Sequence, residues 1–153
     1  MIRRLFAAYH WARARDDEWK FGPGAALRRI DRMEALRPLS CSAAAYKAWL
    51  LFHVGRREEA DRLFAEVEER IGEPATPDQA YVQLFCKFYG RYRVSRLDHA
   101  DALWDAAQEL QCSATLRRYL PFYRKPSEVH ADPLFADLET SPLARRYRRN
   151  KRG

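Results

Sequence analysis

Cysteine is scarce in this chain and follows no ligating pattern. Cys41, Cys86 and Cys112 are odd in number, widely spaced and include no C-x-x-C pair. That excludes a disulfide framework and a zinc ribbon as the organising device, and it fits free thiols in a reducing, cytoplasmic compartment. Long hydrophobic runs are missing as well. The longest uncharged apolar stretch runs from Ala48 to Val54, well short of the roughly 20 residues of a membrane span. The opening residues carry Arg3 and Arg4, then a short apolar stretch that holds His10, with no small-residue cleavage site after it; no secretory signal is expected. Signatures of catalysis are also lacking. There is no Gly-rich phosphate loop, no G-x-S-x-G and no H-E-x-x-H, and Gly22-Pro23-Gly24 reads as a turn rather than a phosphate cradle. His10, His53, His99 and His130 are isolated from one another. The expectation is a non-enzymatic protein with no catalytic residue, metal or cofactor. Period-2 alternation is absent too, so no sheet is expected.

What is present suits a folded domain. With 153 residues, 47% of them hydrophobic and 13% aromatic, the chain is one domain long and can bury roughly 70% of its unfolded surface. The net charge of +7 is unevenly placed: residues 1–112 carry 18 Lys+Arg against 17 Asp+Glu, whereas residues 113–153 carry 10 against 4. The body is nearly neutral and the C-terminal segment holds the basic excess, the pattern of an appended electrostatic arm.

Self-similarity organises the body. The triplets Ala26/Ile30/Met33, Ala60/Phe64/Val67 and Ala100/Trp104/Ala107 each set an alanine four residues before a second position and seven before a third, which is one stripe of a helix. The alanine admits a close neighbour and the bulky residue fills the next gap. Each stripe follows another helical run, at about 3–19, 43–54 and 78–93. The alanines are 34 and then 40 residues apart, and the surplus falls in Gly72-Glu73-Pro74-Ala75-Thr76-Pro77, a helix-breaking loop. Ser40 or Ser42 can cap the second pair, and Asp78 the third. Asp16-Asp17-Glu18 reads as a solvated helix face.

A helix–turn–helix period with these residues resembles the tetratricopeptide repeat (TPR) family. Gly55, Ala60, Phe64 and Pro74 match its turn, small-residue and terminating signals, and Ser95 to Ala100 with Trp104 match in the third unit. The first unit matches in Ala26 and Pro38, but His10 and Asp17 stand where the family prefers apolar residues, as in an atypical cap. The resemblance implies an all-α fold, an α-solenoid of about three TPR-like repeats over residues 1–112, a capping segment at 113–144 and a basic tail at 145–153.

In that family the first helix of each pair lines a concave face. Its lining pattern falls here on Trp11, Arg15 and Trp19, on Trp49, Phe52 and His53, and on Phe85, Tyr89, Tyr92 and Arg93. A surplus of rings on one face is hot-spot material, so the expectation is a groove that holds a partner's peptide or helix, as in an adaptor, scaffold, chaperone or assembly factor. A second occupant stays open: the chain's own tail, through Leu120-Pro121-Phe122-Tyr123 or Leu134-Phe135. The terminal cations Arg145, Arg146, Arg148, Arg149, Lys151 and Arg152 suit an anion, whether nucleic acid, an acidic protein or lipid, or serve only as a solvated tail.

Overall fold

A computed structural model describes residues 1–91 and 97–122. Among these residues the chain is all-helical, with no strand. Helix α1 spans Ile2–Phe21, α2 Pro23–Leu36, α3 Cys41–His53, α4 Arg57–Ile71, α5 Pro77–Cys86, α6 Leu97–Glu109 and α7 Ala114–Tyr119. A π-helical turn, Lys87–Arg91, extends α5.

Local chemistry sets the boundaries. Gly22 ends α1 at φ 94°, a left-handed backbone open mainly to glycine. Pro23 then opens α2, where its missing N–H costs nothing. Arg37 is extended at the end of α2 because Pro38 follows. Ser40, rather than Ser42, caps α3, its side chain accepting from the Ala43 N–H. Thr76, rather than Asp78, caps α5 by accepting from the Gln79 N–H, and Pro77 takes the first turn. With Pro77 already inside the helix, the cap falls one residue before it. Asp78 instead accepts from the backbone N–H of Ser113, tying the start of α7 to the start of α5.

Neighbours in sequence pack together: α1 on α2, α2 on α3, α3 on α4, α4 on α5 and its π turn, and α5 on α6. The alanine-led stripes make these seams. Ala26, Ile30, Met33, Ala60, Phe64, Val67, Ala100 and Ala107 are buried, and Trp104 partly so. At Gly90 the π turn comes so close to α4 that a Cβ would lie 3.0 Å from Phe64 Cβ. The extra residue of a π turn re-aims the chain there, and a side chain at this position would require Phe64 to give by a few tenths of an ångström.

Candidate functional site

Rings of α1, α3 and α5 face a shared interior that the chain itself occupies. Helix α7 lies against α1, α3 and α5, and residues 119–122 enter between their aromatic side chains. The Tyr119 ring stacks on Trp11 at 3.9 Å and meets Tyr46 edge-on at 5.3 Å. Phe122 sits among Tyr81, Phe85, Phe88 and Tyr89, with centroids 5.1–6.0 Å away. Leu120 is fully buried.

Polar bonds hold the insert. Tyr119 Oη donates to the Trp11 carbonyl at 2.6 Å, Tyr81 Oη to the Leu120 carbonyl at 2.5 Å and Tyr89 Oη to the Pro121 carbonyl at 3.3 Å. Arg15 Nε donates to the Arg118 carbonyl at 2.9 Å. Arg117 Nη2 donates to the Ala107 and Leu110 carbonyls, which closes the end of α6.

Beneath Tyr119 lies a buried ionic triad. Arg15 Nη1 and Glu18 Oε2 are 2.5 Å apart, and Tyr46 Oη donates to Glu18 Oε1 at 2.5 Å. Burial pushes the Glu18 carboxyl up, against the pull of Arg15. Burial, then the Glu18 charge, holds the Tyr46 phenol well above its ordinary range. Asp17 is also buried, 2.5 Å from Arg29 Nε. Asp16-Asp17-Glu18 is therefore no solvated face. Only Asp16 lies near solvent, paired with Arg118 at 3.0 Å, because α1 is covered on one side by α2 and on another by α3 and α7.

The expected open groove needs correcting in the same way. Trp49, Phe52, Phe85 and Tyr89 are buried, packed as Trp49 on His53 (4.2 Å), Phe85 (5.7 Å) and Tyr89 (4.8 Å). Burial carries the His53 pKa down to about 3. Trp11 is half-covered by Tyr119, and Arg15 is buried. Trp19 alone of the described set is well exposed, at 38%, with the Arg15 guanidinium 5.1 Å from its ring. Of the two occupants considered for the groove, the chain's own residues 119–122 are the one seen. Tyr92 and Arg93, the alternative plug Leu134-Phe135, and the anion candidates Arg145, Arg146, Arg148, Arg149, Lys151 and Arg152 lie outside the described residues.

The apolar surface that remains is elsewhere, on the outer side of α1. Ile2, Leu5, Phe6 and Tyr9 are 69%, 65%, 54% and 52% exposed. Their spacing puts them on one stripe about 100° wide. The buried side of the same helix, marked by Ala7, Ala14 and Glu18, points the opposite way. A helix apolar on both sides shows little net amphipathicity, which is why this stripe is hard to separate from the core side in sequence; the i, i+3, i+4, i+7 spacing was its one available signal. Arg29 lies 5.3 Å from the Tyr9 ring, and Arg13 continues the stripe one turn on.

Among the described residues no three of His, Cys, Asp and Glu gather as metal ligands, and no helix is long and apolar enough to cross a membrane. The chain matches no family model, no curated protein and no solved structure.

Proposed function

We propose that this chain is a non-enzymatic protein-interaction module, built of three TPR-like helix pairs, that grips a partner helix or peptide with the outer stripe of α1 rather than with its concave face. The repeat reading is supported by Ala26, Ala60 and Ala100, which are buried at equivalent places in successive second helices. The surface reading is carried by one observation: four large apolar side chains, Ile2, Leu5, Phe6 and Tyr9, stand exposed in a row on a single helix. Exposed apolar residues scattered singly are ordinary, whereas a contiguous row marks a contact surface. Phe85 and Tyr89, packed against Phe122, and Trp49, packed against those two rings, serve the core in this reading. The three cysteines are free thiols, which supports a cytoplasmic setting.

The test is the full chain carrying Leu5→Glu and Phe6→Glu. Both sites are exposed, so the melting temperature stays within about 2 °C of wild type. Capture of the partner that copurifies with the wild-type chain drops by at least about tenfold, as expected when contacts worth roughly 1.4 kcal/mol or more are lost. Undiminished capture refutes the assignment of this surface.

A further inference from the structure

The outer stripe of α1 has an occupant of matching chemistry within its own chain. We propose that, when no partner is bound, the acidic segment 128–139 covers Ile2, Leu5, Phe6 and Tyr9. A partner would then have to displace it, and would itself present an acidic, apolar helix. This inference rests on the preceding reading of the stripe as a contact surface.

Charge favours that occupant. No acidic residue precedes Asp16, so the first four turns of α1 carry only cations. Arg3 flanks the stripe and Arg13 continues it, while Arg29, over the Tyr9 ring, is already paired with Asp17. The five acids of the first hairpin are already engaged: Asp16 with Arg118, Asp17 with Arg29, Glu18 with Arg15, and Asp31 and Glu34 with Lys47. Arg3 and Arg13 stand in no ion pair among the described residues. The stripe is thus an apolar strip with a cationic rim.

The segment is its complement. Glu128, Asp132, Asp137 and Glu139 lie in a stretch with no lysine or arginine from 126 to 144. Asp132 followed by Pro133 is a helix-start signal, and Leu134, Phe135 and Leu138 then fall on one helical face. A second copy of α1 would instead set like cationic rims against each other, which disfavours a symmetric pairing.

Reach is sufficient. Tyr119 already rests on Trp11 of the same helix, and Leu5 lies about 9 Å from Trp11 along the axis, at 1.5 Å per residue. Asp132 follows Phe122 by ten positions, enough to span up to about 33 Å, against a helix about 10–12 Å across.

The test uses the full chain with Phe6→p-benzoylphenylalanine, purified without any partner, irradiated and digested with trypsin. The expected product has the mass of one chain, with the adduct on the peptide that ends at Arg145, within 128–139. Asp137→Lys with Glu139→Lys lowers its yield about fivefold at low salt, by turning two attractions into repulsions. An adduct joining two chains assigns the stripe to a second copy and overturns the proposal. No adduct, or one elsewhere in the chain, equally overturns it, because the stripe is then open to a foreign partner or surface. If the adduct is missing but Leu5→Glu with Phe6→Glu still abolishes capture, only the cover fails; if that double variant captures normally, the surface reading itself fails.

Discussion

Truncating Tyr119 to alanine tests whether residues 119–122 are core or a loose appendage. Tyr119 is buried, stacks on Trp11, meets Tyr46 edge-on and donates to the Trp11 carbonyl. Removing a buried aromatic ring costs roughly 3–5 kcal/mol through lost transfer free energy and the cavity left behind. The two ring pairs account for about 0.5–1.5 kcal/mol each beyond area. Tyr119→Phe isolates the hydroxyl. The Trp11 carbonyl lies within α1, where the helix also engages it, so that change costs only about 1 kcal/mol. For a chain of this size 1 kcal/mol moves the melting temperature by about 2–4 °C. Tyr119→Ala should therefore melt about 6–20 °C lower and Tyr119→Phe about 3 °C lower. The assay is thermal unfolding followed by tryptophan fluorescence, for which Trp11 under Tyr119 is a reporter, with urea unfolding for the free energies and Phe21→Ala, at an exposed site, as a control expected within about 0.5 kcal/mol. A Tyr119→Ala loss below about 1 kcal/mol would refute the reasoning, since it would mean that the rings of α1, α3 and α5 stay covered without α7.

Three further outcomes follow from the same packing. His53 is held neutral, with its pKa lowered from the usual 6.5 to about 3. Its contribution is therefore fully present above pH 6.5 and is lost as pH falls toward 3, by up to about 1.4 kcal/mol per pH unit; urea midpoints between pH 7 and 4 should fall more steeply for wild type than for His53→Gln, and parallel profiles would contradict this. Gly90→Ala should destabilise by about 1–2 kcal/mol although alanine is the better helix former, because the new Cβ meets Phe64 Cβ at 3.0 Å; a raised unfolding midpoint would show that the π turn has room. Ser40→Ala and Thr76→Ala each remove a side-chain cap and should each cost about 1 kcal/mol by thermal melting, whereas Ser42→Ala should lie within about 0.5 kcal/mol of wild type.

Much of the backbone was legible in the sequence because its causes are local. A stripe such as Ala60/Phe64/Val67 needs only a 3.6-residue period, and breakers such as Pro38 and Gly72 act within a turn or two. Of the details that differ, one is local and one is not. Thr76 outcompeted Asp78 as a cap because Pro77 already belongs to the helix, whereas the π turn at Lys87–Arg91 lies where Gly90 meets Phe64 of α4, a neighbour that no local pattern announces. The burial of Asp17 and Glu18 was hidden for the same reason: their partners Arg29 and Tyr46 come from α2 and α3.

Composition, helical periodicity and turn residues by themselves determined that the described chain forms successive helices, with alanine-led stripes on α2, α4 and α6, since those preferences are written within a few residues of one another. Only the tertiary structure decided which rings are interior and which are surface. Trp49 and Tyr89 look identical in sequence whether they face solvent or the interior, and each is covered in part by a ring from more than thirty residues away, Trp49 by Phe85 and Tyr89 by Phe122. The outer stripe of α1 was decided in the same way, by which neighbours α2, α3 and α7 cover and which side of the helix they leave bare.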